Sequence, residues 1–157
     1  MNELIGLIAF ILFLPFIVVV ITLYLLFGIA LYLTVWLCWC SREKFVLFVY
    51  SDSPIWHDYV EEQILPHLKN RAVVLNWSEH KKWQRWFPSL PIMAFRYFGG
   101  YREFNPFAVV FRPFRLARKF RFFNAFKEFK HDKPDSLEKM RREFLDLVEN
   151  VTVRKTA

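Results

Sequence analysis

From Leu4 to Cys40 the chain carries no charged residue, and nearly every side chain is apolar. A hydrocarbon layer about 30 Å thick is crossed by roughly 20 such residues in a helix. The run therefore predicts a membrane segment and not the core helix of a water-soluble domain. It is too long for a secretory signal peptide, and no small-residue cleavage site follows it. As one straight helix it would reach about 55 Å at 1.5 Å per residue, more than the apolar layer needs. Pro15 and Gly28 are its only obvious breaks, with no polar turn cluster between them. One tilted or kinked span is expected, with a hairpin of two short spans as the alternative.

All 22 Lys and Arg follow Ser41, together with 14 of the 15 acids. Arg42 and Lys44 abut the apolar run, whereas the other end offers only Glu3. The positive-inside rule then places the C-terminal part in the cytoplasm. Trp36 and Trp39 suit an aromatic belt at the same exit. On that reading the triplets Asn76-Trp77-Ser78 and Asn150-Val151-Thr152, which have the form of glycosylation acceptors, are coincidental. The residues beyond the span suffice for one domain with a single core.

Cys38 and Cys40 are the only cysteines and lie at the membrane exit. Two positions apart on a helix they point to different sides, so they are poorly placed to bond each other. S-acylation or a disulfide to a second copy is the functional reading; two small apolar residues in a hydrophobic span is the plain one. No metal site is expected, because none of the four histidines is close to them.

Phe45 to Tyr50, an unbroken apolar run rich in strand formers, predicts a strand covered on both faces. Ser53 offers an N-cap oxygen and Pro54 the favoured first helical position. Ile55, Tyr59, Val60, Ile64 and Leu68 follow at helical spacing. Ala72 to Trp77 predicts a second buried strand, parallel to the first because a helix joins them. The segment from Glu79 to Trp86 suggests a short helix, and Phe87 to Asn105 an irregular stretch with prolines and Gly99-Gly100. Asn105-Pro106 precedes a third strand, and Lys119 to Phe126 a fourth. Asp135-Ser136-Leu137-Glu138, behind Pro134, has the form of a capping box. Leu137, Met140, Phe144, Leu147 and Val148 give that last helix its apolar face.

The predicted order, βαβαββα over residues 45–150 after a transmembrane segment at 4–40, resembles that of the thioredoxin-like fold. Val49 to Trp56, "VYSDSPIW", is similar to the glutaredoxin-type strand end and its Cys-Pro-X-Cys turn, with Ser53 and Trp56 at the cysteine positions. Asn105-Pro106-Phe107 stands where that fold carries a cis-proline before its third strand. The resemblance implies an α/β fold lacking the active-site cysteines, and a ligand position formed by Ser53, Trp56 and Pro106.

Thiol–disulfide exchange needs a thiolate, which neither Ser53 nor Trp56 supplies. What the resemblance leaves open is a glutathione-transferase-like use of Ser53, holding a bound thiol such as glutathione by a hydrogen bond. The alternative is an ordinary Ser-Pro helix start. His57 beside Asp58 invites a general-base reading, yet adjacent helical residues diverge and no nucleophile completes a triad. No Gly-rich phosphate loop or zinc-ligand cluster is present, so no cofactor is expected.

Phe87 to Lys130 holds twelve of the nineteen phenylalanines, and Phe111 to Phe123 has five basic residues and no acid. Arg112, Arg115, Arg118, Lys119 and Arg121 could face anionic lipid headgroups, a protein partner, or, with the rings, single-stranded nucleic acid. A chain tethered at residue 41 has the bilayer, or another membrane protein, as its nearest partner. The expectation is a single-pass membrane protein whose cytoplasmic domain docks a partner rather than catalysing a reaction.

Overall fold

The computed structural model describes residues 2–83, 87–99, 105–112, 115–129 and 135–156, leaving aside the side chains of residues 2–9, 11 and 153–156. The chain forms two compact units, Met1–Thr34 and Val35–Ala157.

A single α-helix, α1 (Asn2–Trp39), runs through the apolar segment with Pro15 inside it. Its portion from Leu12 onward is long and apolar enough to cross a membrane. It ends in a 3-10 turn at Cys40–Arg42, followed by Glu43 in the left-handed region, φ 61°. There the Glu43 and Lys44 amides donate to the Cys40 and Trp39 carbonyls, at 3.2 and 2.9 Å. A left-handed residue after a helix satisfies the last carbonyls in this way.

The second unit is built on a mixed four-stranded sheet. Its strands are β1 (Val46–Tyr50), β2 (Ala72–Asn76), β3 (Phe107–Arg112) and β4 (Arg115–Arg121), in the order β2-β1-β3-β4. β1 pairs with β2 in parallel and with β3 antiparallel, and β4 is antiparallel to β3. All five residues of β1 are buried, as an apolar run without alternation requires.

One sheet face carries Val46, Phe48, Tyr50, Ala108, Val110 and Phe120. It is covered by α2 (His57–Gln63), α3 (Leu65–Leu68), α5 (Phe122–Phe129) and α6 (Asp135–Thr156). Phe48, Phe122 and Phe144 meet there with ring centroids 5.6–6.1 Å apart. On α6, Leu137, Phe144 and Val148 are buried and Met140 and Leu147 pack beside them, which is the face expected from their spacing. The other sheet face carries Phe107 and Phe111. Against it lie Phe95 and Phe98 of α4 (Leu90–Gly99) and Trp39, in ring contacts of 5.2–6.2 Å. A β-carbon at Gly99 would stand 2.9 Å from the Phe95 ring, so a larger residue there requires that ring to shift.

Several sequence expectations shift. The helix after β1 begins at His57 with Trp56 as its N-cap position, and no side chain caps it. Ser53 contributes its backbone carbonyl instead, accepting from the Trp56 and His57 amides at 3.2 and 2.9 Å. Ile55 therefore lies in the preceding turn, 47% exposed, off the apolar face. Trp77–Trp83 is a 3-10 segment and not an α-helix; Gln84 to Trp86 lie outside the described residues. The stretch read as irregular contains α4, because Pro91 sits at the start of the helix, where a missing amide does no harm. β4 begins and ends earlier than expected, and Phe122–Phe129 is a helix burying Phe122, Ala125 and Phe126. Alternating Arg and Phe suit a strand, but those three spacings suit one helix face. Glu138 bonds across to Tyr59 and to Arg141 rather than closing a capping box; Pro134 and Gly100 lie outside the described residues. The Asn105–Pro106 peptide bond is cis.

Candidate functional site

The parallel strands β1 and β2 end together, and the loop from Ser51 to Trp56 leaves the sheet at that point. In an open α/β sheet, ligands bind outside such carboxyl ends. Pro106 lies beyond the same sheet end, since Phe107 pairs with Val49. The three residues Ser53, Trp56 and Pro106 thus belong to one end of the sheet.

Their chemistry is muted. The Ser53 hydroxyl makes no hydrogen bond among the described residues, and its carbonyl only closes the turn. The indole of Trp56 donates to Ser51 Oγ at 3.2 Å and packs against Phe123 and Phe126, with ring centroids 6.2 and 6.0 Å away. The Pro106 carbonyl accepts from the Phe122 amide at 3.0 Å, which ties the start of α5 to this corner. Trp56 and the α5 phenylalanines therefore pack together at this corner. Asn105 is 3% exposed, and its Oδ1 has no hydrogen-bond partner among the described residues.

His57 does not pair with its neighbour Asp58. Its Nδ1 stands 3.8 Å from Asp52 Oδ1, too far for a hydrogen bond, and the ring stacks on Tyr50. Asp52 serves structure: its carboxylate accepts from Asn76 Nδ2 at 2.7 Å, and its amide donates to Ser78 Oγ at 2.9 Å. The Ser78 amide donates to Asn76 Oδ1 at 2.9 Å. The side chains of Asn76 and Ser78 thus bind the β1 loop to the end of β2.

Tyr50 donates to Glu61 and Tyr59 donates to Glu138, the latter at 2.6 Å. Burial and then the carboxylate partner push both phenols well above their ordinary range. The Tyr59 hydroxyl and then Arg141 hold Glu138 below the usual carboxylate range, against the opposing effect of burial. These bonds tie α2 to β1 and α6, and no sequence spacing points to a pair 79 positions apart.

The five basic residues of the β3–β4 hairpin do not act as one patch. Arg118 donates to Glu143 of α6 at 2.9 Å and lies over the Phe120 ring. Lys119 projects to the other sheet face, with Nζ 5.9 Å from the Phe98 ring centre. Burial and then the neighbouring Arg121 lower its basicity. Arg112 closes the hairpin, donating to the Leu116 carbonyl from Nε and Nη2 at 3.2 and 2.7 Å. Arg115 and Arg121 are exposed at the two ends of β4. No three metal-ligating side chains gather among the described residues. No family model, curated protein or solved structure matches the chain.

Proposed function

We propose that the chain is a single-pass membrane protein whose second unit is a redox-inactive, thioredoxin-like domain that docks a partner at the cytoplasmic membrane face. The observation that carries this reading is the state of the corner at Ser51–Trp56. Where thiol exchange needs a thiolate it has a serine hydroxyl and an indole, and the indole is packed under Phe123 and Phe126. The order strand, helix, strand, helix, strand, strand, helix supports the thioredoxin-like reading. The apolar α1 supports the anchor, and Arg42 and Lys44 beside it support the cytoplasmic side. Fold alone assigns no activity.

The test is purification of the full-length protein in mild detergent, with co-purifying proteins identified by mass spectrometry. A stoichiometric membrane protein retained by both the native chain and Ser53→Ala is the expected result. Protein that purifies without companions contradicts docking.

A second reading, a glutathione- or thiol-ligand-binding enzyme using Ser53, has one observation in its favour: the buried Asn105 Oδ1 without a partner among the described residues, next to Pro106. Calorimetric titration of the detergent-solubilised protein with glutathione decides it. Saturable heat that Ser53→Ala abolishes would replace the docking proposal.

A further inference from the structure

Each of the four strands carries a cation at one and the same end of the sheet. Lys44 lies just before β1 and Arg71 immediately before β2; Arg112 is the last residue of β3 and Arg115 the first of β4. The hydrogen bonds make the juxtaposition concrete. The Phe45 amide donates to the Arg71 carbonyl at 3.0 Å, and the Phe45 carbonyl accepts from the Phe111 amide at 2.8 Å. Arg112 and Arg115 face each other in the β3–β4 register. Arg42 and Lys69 lie two residues from this row and are exposed, and Glu43 is the one acid between Arg42 and Lys44.

This is also the end at which the chain enters the sheet, since the Lys44 amide still bonds the Trp39 carbonyl of α1. The opposite end carries Asp52 and Asp58 together with Arg121, the last residue of β4, and Lys81 and Lys82 beyond β2, so its charges are mixed. The end where the apolar segment leaves off has Glu43 as the one acid among its cations. Beside Arg115 stands Leu116, 87% exposed and the most exposed large apolar side chain outside α1 among the described residues. An apolar group flanked by cations is the composition that settles into a headgroup layer, with the side chain toward the acyl boundary and the charges at the phosphates.

We propose that this end of the sheet seats on the anionic phospholipid headgroups of the bilayer that α1 spans, with Lys44, Lys69, Arg71, Arg112 and Arg115 at the phosphates and Leu116 inserted among them. The proposal rests on the membrane-spanning reading above. It narrows the earlier grouping of hairpin cations to those at this end of the sheet: Arg118, Lys119 and Arg121 stand progressively farther along β4. The Ser51–Trp56 corner is at the far end of β1, away from this surface.

The test uses the full-length protein in nanodiscs, with Cys38→Ser and Cys40→Ser so that one introduced cysteine carries a polarity-sensitive fluorophore. The probe is placed at Leu116→Cys or, as the control, at Asp58→Cys. Discs of phosphatidylcholine are compared with discs containing phosphatidylserine, each with a nitroxide quencher on the acyl chain. The expected result is a blue-shifted, quenched probe at position 116 in anionic discs and an unquenched one at position 58. Neutralising Lys69, Arg71 and Arg115 to Gln lowers the ratio of seated to unseated protein by about fivefold per charge. Quenching at 116 no greater than at 58 in anionic discs overturns the proposal, as does quenching unaffected by lipid charge. A protein that does not co-elute with the discs fails the spanning reading itself, whereas one that co-elutes with its 116 probe in water fails only the seating.

Discussion

Phe16 and Phe48 are the same side chain in two unlike settings. Phe16, on α1, is 66% exposed beside other exposed Leu, Ile and Val; Phe48, on β1, is wholly buried, its ring against Phe122 and Phe144. The domain solves its apolar content internally, by covering both faces of a sheet. The helix offers no such solution, because it is apolar all round and most of its residues after Phe10 stay uncovered. A helix of that kind is stable only where the surroundings are apolar as well. On the proposed membrane reading the two units answer to different solvents, so a substitution in one should leave the other's behaviour intact.

The largest expected effect breaks the helix side of the comparison. Arg at Ile21, Leu25 and Ile29 together costs about 9 kcal/mol, at about 3 kcal/mol for each charge near a span centre. Ile21→Arg, Leu25→Arg and Ile29→Arg in one chain should therefore shift the protein out of the membrane-integrated fraction while its second unit still resists limited proteolysis. Retention equal to the native chain's would show that α1 is not a span.

The domain side is broken by Phe48→Ala. Removing a ring packed on Phe122 and Phe144 should cost about 3–5 kcal/mol, read as a lower denaturation midpoint of the second unit, with membrane retention unchanged. A loss under about 1 kcal/mol would mean that this face is not the closed core described.

A smaller effect sharpens the picture of how α2 is fastened to α6. Tyr59→Phe removes the hydrogen bond to Glu138 and should cost about 1 kcal/mol. Glu138 is held below its ordinary range in the folded protein. Its contribution is therefore fully present above the usual carboxylate range and is lost as pH falls through the lowered folded value. Thermal melts of native protein and Tyr59→Phe should differ at neutral pH and converge in acid. A gap that widens on acidification would contradict the sign.

Much of this architecture was legible from periodicity. The unbroken run of β1, the apolar spacing of α6 and the uncharged length of α1 each dictate one element, because burial pattern and period coincide there. α4 was hidden because Pro88 and Pro91 read as breaks, although a proline in the first helical turn is compatible with a helix. The boundary at Phe122 was hidden because Arg and Phe alternate on both sides of it, and only tertiary packing decides which period wins. Ser53 was read as an N-cap but is a turn residue: the turn takes its carbonyl, and its hydroxyl caps nothing. The cationic sheet end was beyond reach for a different reason. Lys44, Arg71 and Arg112 stand far apart in the chain and become neighbours only through strand pairing.

The measurement closest to the central account is alkaline extraction of native membranes holding the full-length protein, combined with protease added to the cytoplasmic face. The account predicts that the protein stays with the bilayer and that its second unit is reached by the protease. Release into the alkaline supernatant, or a domain sheltered behind an intact membrane, would contradict it.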